Sequence, residues 1–309
     1  MALMDVKFAV IFLFLIVVGA LGNFLGYRSK STDLILRHLT LTNSLVILSR
    51  GIPETMTAFE LRYFLNDFGC KVVFFVHRVS RGVSIDSTCL LSVFQAIAIS
   101  PWNSRWAVLK GKAPKYIGPS NILCWIMNII LNIVIPVYMT DKRNNKNTSK
   151  IMDFGYCTSA LPDKDTDLLY MVLVFSHDVL CLGLITWVSE FMVSTLYRHK
   201  QWIQHIYRTE VSPRPSPEIR ATQSILVLVT TFVSFYTLSS NIYMYFSISC
   251  KISWWLINTS ALINACFPTA CPFVLLSQDY WVSRLFSFLG PHWLVAKKQI
   301  SGWVSAFPI

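Results

Sequence analysis

Long apolar runs alternate with short polar connections along the chain, and there are seven such runs, at about residues 8–27, 34–57, 70–100, 117–139, 168–197, 221–248 and 253–277. At about 1.5 Å of rise per residue, roughly twenty helical residues cross about 30 Å of hydrocarbon, so each run can span a bilayer. The pattern predicts an all-α membrane protein, a single seven-transmembrane helix bundle over residues 1–309. The first run exceeds the usual 7–15 residues of a signal-peptide core and reads as a retained signal-anchor span. Ser31, Thr32 and Asp33 are suited to cap the second helix, and Pro53 is expected to kink or end it. Asn128 and Asn132, at i and i+4 of the fourth run, suit interhelical hydrogen bonding.

The third run is the least compatible with lipid. Its first half carries His77, Arg78, Arg81 and Asp86, and a charge at a membrane helix centre costs about 2.5–3.5 kcal/mol. It must face protein or water, with His77, Arg78 and Arg81 expected on one side towards a cavity. Arg50 and Glu54 are spaced i, i+4 in the second run, so they can neutralise each other or meet a ligand. His177-Asp178 reads as a hydrogen-bonded interior pair.

Composition agrees with a membrane location: 54% of residues are hydrophobic and only 14% charged, against about 25% charged in soluble domains, and mean hydropathy is +0.50. The net charge of +11 does not point to nucleic acid, because the basic residues lie in connections between spans. Of the 27 Lys and Arg, 15 fall in the connections assigned to one side, 9 to the other and 3 within spans. The positive-inside rule then sets the N-terminus outside and the C-terminus in the cytoplasm. On the outer side, the connection 140–167 holds the sequon Asn147-Thr148-Ser149, a candidate glycosylation site, while the match at Asn258 falls inside an apolar run.

Eight cysteines show no CxxC pair and no Cys/His spacing typical of a metal site, so neither metal nor cofactor is expected. Cys70 lies at the outer end of the third helix and Cys157 in the long outer connection; a disulfide between them would draw that connection over the helix mouth. Paired carboxylates, His clusters or a nucleophile with its base are absent at usable spacing, which argues against an enzyme. A channel or transporter for small solutes remains an alternative, although no internal repeat supports it.

The stretches 31–56 (STDLILRHLTLTNSLVILSRGIPETM), 65–85 (LNDFGCKVVFFVHRVSRGVSI), 88–120, 211–240 (beginning VSPRPSPEIRATQS) and 258–279 (NTSALINACFPTACPFVLLSQD) resemble the vomeronasal type-1 receptors, a family of pheromone receptors among the G-protein-coupled receptors. The resemblance implies a multi-pass plasma-membrane chemosensory receptor. It would bind small volatile or steroid-like molecules and activate a heterotrimeric G protein of the inhibitory type. Phe94-Gln95-Ala96 stands where the wider rhodopsin-like class has an acidic-Arg-aromatic triplet, and Cys271-Pro272 with Leu275 replaces that class's Asn-Pro-x-x-Tyr signature. Only nine residues, Phe24 to Thr32, separate Asn23 from Asp33, fewer than the resemblance leads one to expect. A shortened first helix and inner loop would make the chain a poorly trafficked or non-functional receptor remnant.

The expected ligand site uses the outer halves of the helices: His77, Arg78 and Arg81, then Asp178, Tyr236, Asn241 and Asn258, with Arg50 and Glu54 alongside. An apolar ligand with one acceptor group would pack on aromatics and meet one cation. The competing expectation is that the charged members pair with one another and hold the bundle together. The G protein is expected at the inner ends, near Gln95, Arg105, Lys110, Lys112, Lys115, Arg198 and Lys200. The bilayer itself, through anionic lipid, accounts for much of that charge.

Overall fold

A computed structural model describes residues 10–11, 13–21, 33–59, 65–100, 107–141, 151–153, 157–160, 164–206, 217–248 and 254–276. Asn147, Arg105 and the short Asn23-to-Asp33 spacing lie outside these residues, as do the two ends of the chain. Helix α1 is helical at residues 10, 11 and 13–21. It is followed by α2 (Asp33–Ala58), α3 (Asp67–Ile99), α4 (Ala107–Leu131), the single turn α5 (Ile135–Tyr138), α6 (Lys164–Ile206), α7 (Pro217–Ile248) and α8 (Trp254–Leu276).

The chain is a helix bundle with α3 at its centre. In α3's most apolar window 61% of residues are buried, against 17% in each of Lys115–Val137 and Val172–Arg198. These are the three helical stretches among the described residues that are long and apolar enough, by length and composition, to cross a membrane. The outward faces of α4 and α6 are correspondingly apolar: Ile122, Met127, Ile130, Leu180 and Trp187 are all exposed. A belt of that extent would be a liability in water and is what lipid requires.

Local sequence explains why α3 starts and stops where it does. Asn66 caps it, its side chain accepting from the Gly69 N–H at 2.8 Å, an arrangement worth about 1 kcal/mol. At the other end Ser100 is extended, with φ −60° and ψ 139°, as the residue before a proline must be. Small side chains line the helix in between: Ser80, Ser84, Ser87, Thr88 and Ser92 are buried, and the hydroxyls of Thr88 and Ser92 donate to carbonyls one turn back. Gly82 marks the closest approach, since a Cβ there would overlap the Asn128 carboxamide of α4. On the far side, a Cβ on Gly19 of α1 would meet Ile47 of α2 at 2.6 Å and Thr269 of α8 at 3.1 Å, so α1 lies against both.

Beneath these contacts, Ile35, Leu39, Ile85, Leu91, Ile185 and Phe232 join one buried core from α2, α3, α6 and α7. Phe232 meets Phe267 of α8 edge-on, ring centroids 4.6 Å apart.

Pro53 lies inside α2, which runs to Ala58, close to the expected end near residue 57. Two details differ from the sequence expectations. Helix α4 begins at Ala107, so Lys110, Lys112 and Lys115 sit on its first turns and not in a loop. Helix α6 continues through Arg198 and Lys200 to Ile206. The physical reason is the same for both longer helices: an apolar run marks the hydrocarbon thickness, whereas backbone hydrogen bonding continues into the polar layer.

The connection after α5 holds a sheet that the sequence did not announce. Strands β1 (Met139–Asp141), β2 (Ile151–Asp153) and β3 (Cys157–Ala160) lie in the order β1-β3-β2, both pairings antiparallel. Asp141 pairs with Cys157, and Asp153 with Thr158. Cys157 is disulfide-bonded to Cys70, with Cα atoms 5.9 Å apart and both residues fully buried. The bridge fastens the sheet to the start of α3, as the positions of the two cysteines suggested.

Candidate functional site

The charges on α3 reach different helices. Successive helical residues turn by about 100°, so Arg78 is directed away from His77, whereas Arg81, one turn on, lies only about 40° round from His77. His77 is buried, and its Nδ1 is 3.4 Å from the Ser49 hydroxyl of α2. Arg78 turns to α6, where its Nε and Nη2 donate to the Tyr170 hydroxyl at 3.3 and 2.9 Å and its guanidinium lies 5.6 Å from that ring's centroid. Tyr170 in turn donates to Asn132 at 2.9 Å. The expectation that His77 and Arg78 sit together on one wall is therefore corrected.

Arg81 is the residue that reaches the interior between α6 and α7. Its guanidinium carbon lies 4.3 Å from the Tyr236 ring centroid, its Nη2 donates to Ser240 at 3.4 Å, and its Nη1 is 3.9 Å from Asp178 Oδ2. The Tyr236 hydroxyl donates to the same Asp178 oxygen at 3.0 Å. Asp178 Oδ1 is 3.6 Å from His177 Nδ1. Both Arg81 and Asp178 have less than a tenth of their side chains exposed. The carboxylate thus has three partners, only one of which is the arginine. That matters energetically, because a buried charge is costly chiefly when left alone.

Two clefts open beside this cluster. One, of about 30 Å³, is walled by Phe232, Phe235, Tyr236 and Phe267, with Arg81, Ser84, Ser239 and Asn264 as polar members. The other, of about 10 Å³, is bordered by Leu15, Ile16, Arg50, Gly51 and His77. Val46 and Asn264 line both, so the clefts are neighbours. The first combines apolar walls with few polar groups.

Arg50 and Glu54 belong to the second cleft's side and pair with each other, Nε to Oε1 at 3.5 Å, with both side chains nearly buried. Asn241 is exposed, being two residues and hence about 200° around α7 from buried Ser239. Asn258 lies in α8, but its side chain is outside the described set. At the opposite end, Gln95 is partly buried, Lys112, Lys115 and Arg198 are exposed, Lys110 is partly so, and Lys200 lies within α6. Residues that sequence reasoning did not nominate, Tyr170, Ser240 and Asn264, complete the polar contacts. None carries a charge, the signal that singled out His77, Arg78, Arg81, Asp178, Arg50 and Glu54.

Comparison with known proteins gives a consistent set of likenesses. The family model described as the vomeronasal organ pheromone receptor family matches residues 6–288. The vomeronasal type-1 receptor 2 of Homo sapiens is 55% identical over 286 residues, covering 89% of this chain and 72% of that protein. The vomeronasal type-1 receptor 4 of Homo sapiens is 52% identical over 279 residues, 87% of this chain and 93% of that protein. For the vomeronasal type-1 receptor 3 of Homo sapiens the figures are 50% over 299 residues, 93% and 96%.

Proposed function

We infer that this chain, which belongs to the vomeronasal type-1 receptor family, is a chemosensory receptor that binds pheromone-like small molecules and passes the signal to a heterotrimeric G protein. The family is one of receptors and not of enzymes. The reading takes the chain as one seven-helix domain of the plasma membrane, N-terminus outside and C-terminus in the cytoplasm, with Asn147 as an outer glycosylation site. The G protein is of the inhibitory type that the family resemblance implies.

The observation that carries the ligand part is the Arg81 guanidinium stacked 4.3 Å from the Tyr236 ring centroid beside a cleft walled by Phe232, Phe235 and Phe267. A molecule with a flat apolar body and one carbonyl, hydroxyl or carboxylate suits it. The body would lie on the aromatic rings and the oxygen would meet Arg81. His77, Arg50 and Glu54, at the adjoining cleft, are proposed as further contacts for longer ligands, and Asn258 for ligands reaching α8. Arg78 is proposed to act through Tyr170.

The test uses cells expressing the chain, a G-protein reporter and a panel of volatile and steroid-like molecules. For any molecule that elicits a response, Arg81→Met is expected to reduce potency by about ten-fold or more, equivalent to about 1.4 kcal/mol. Surface density should remain near that of the wild type, because Asp178 keeps Tyr236 and His177 as partners. Full potency in Arg81→Met at normal surface density would reject Arg81 as a ligand contact. Loss of the surface signal would assign it to the scaffold.

The G-protein face is proposed at the end of the bundle holding Gln95, Lys110, Lys112, Lys115, Arg198 and Lys200, together with Arg105. Exposed cations beside a membrane serve anionic lipid as well, so charge alone does not identify a coupling surface. Changing Lys110, Lys112 and Lys115 together to Gln is expected to lower the G-protein response by about ten-fold, or about 1.4 kcal/mol of coupling, while an N-terminal tag stays accessible at the surface. An unchanged response with the tag in place would remove these lysines from the coupling surface.

A further inference from the structure

Between α3, α4 and α6, outside the cleft, three side chains of different chemistry converge on one point. His177 Nε2 lies 3.2 Å from Asp86 Oδ1, Cys181 Sγ lies 3.3 Å from the same oxygen, and Cys181 Sγ is 3.8 Å from His177 Nε2. We propose that Asp86, His177 and Cys181 form a binding site for a single divalent transition-metal ion of the zinc class.

The distances fit that ion. Ligand oxygen and nitrogen at about 2.0–2.1 Å from a tetrahedral centre stand about 3.3 Å apart, and a sulfur at about 2.3 Å stands about 3.5 Å from either. The three observed separations lie within about 0.3 Å of these edges, so the ion enters with little movement of the side chains. One nitrogen, one sulfur and one oxygen donor select zinc-like ions over magnesium or calcium, which take oxygen.

Both further requirements of such a site are met. Ligands need orienting partners: Asn128 Nδ2 donates to the other Asp86 oxygen at 2.6 Å, leaving Oδ1 to the cluster, and His177 Nδ1 faces the Asp178 carboxylate at 3.6 Å. A carboxylate behind the ligating histidine is the usual arrangement that fixes its ring. Charge must also balance inside a bilayer. A carboxylate and a thiolate neutralise a doubly charged ion, so the loaded cluster carries no net charge. Loading removes the thiol proton from Cys181 and the proton from His177 Nε2, and both pass to solvent. The fourth position is left to water or a small ligand, and 26% of the His177 side chain is exposed.

The sequence signal is modest. His177 and Cys181 are one helical turn apart, but the third ligand comes from another helix, so a search for closely spaced cysteines finds nothing.

The test uses the full chain purified in lipid nanodiscs, stripped with chelator, and titrated with Zn²⁺ in competition with a chromophoric chelator, then with Co²⁺ as a spectroscopic substitute. One Zn²⁺ per chain is expected, and Co²⁺ should give a thiolate charge-transfer band. Cys181→Ser should abolish the band and weaken Zn²⁺ by about ten-fold or more, whereas Cys266→Ser should leave both unchanged. Should Cys181→Ser fail to fold, alkylation of the wild-type chain with and without Zn²⁺ decides: the ion must protect Cys181. Failure to protect it, no thiolate band, or Zn²⁺ affinity unchanged in the His177→Gln/Cys181→Ser double variant would each overturn the proposal.

Discussion

Replacing Cys70 with serine is expected to lower the stability of the purified chain by about 3–5 kcal/mol. The bridge to Cys157 joins residues 87 apart in sequence. Closing a loop of that length removes conformational entropy from the unfolded chain worth about 4.6 kcal/mol in the loop-closure treatment. A bilayer already confines the unfolded spans, which moves the expectation towards the lower part of the range. Thermal melting monitored by thiol-independent fluorescence measures it. Cys157→Ser should cost the same, and the double variant no more than either single one, because all three remove one and the same bond. A harmless Cys157→Ser beside a damaging Cys70→Ser would mean that the packing of Cys70, and not the bridge, is responsible.

Gly82→Leu is expected to be comparably severe. A side chain there has to displace the Asn128 carboxamide, and with it the 2.6 Å hydrogen bond from Asn128 to the buried Asp86 carboxylate. Forcing atoms into a packed interface costs about 1–3 kcal/mol, and losing a hydrogen bond to a charged group costs about 1.5–3 kcal/mol. The two together predict a loss of about 2.5–6 kcal/mol and a sharp fall in surface expression. Gly111→Ala supplies the contrast, since nothing lies within 4 Å of a Cβ at that position, and it should stay within about 1 kcal/mol of wild type. If both glycines tolerate substitution equally, α3 and α4 are not in close contact at Gly82.

The pairing of Cys70 with Cys157 was legible because both positions stand out against their surroundings, one at the start of an apolar run and the other in a long polar connection. The polar character of α3 was legible for a related reason: charges in an apolar run are conspicuous. Where those charges point was not. His77 and Arg78 are adjacent in sequence, and only the positions of α2 and α6 decide that one meets Ser49 and the other Tyr170. The sheet was equally hidden. Strands of three or four residues are too short to show alternation, and pairs such as Asp141 with Cys157 are set by tertiary contact and by the bridge. The convergence of Asp86 with His177 and Cys181 spans more than ninety residues of sequence between α3 and α6, a distance over which spacing carries no information.

Helix α6 is 43 residues long, about 64 Å, or twice the hydrocarbon thickness. Asp178, beside the aromatic cleft, lies about 42 Å along that axis from Ile206 at its end. A rigid rod of this length is a lever. If a molecule in the cleft shifted Asp178 enough to tilt α6 by about 5°, the far end would sweep by about 4 Å over that 42 Å arm, carrying exposed Arg198 with it. Mechanical advantage of this kind needs no switch residue at the far end, only a helix that stays straight.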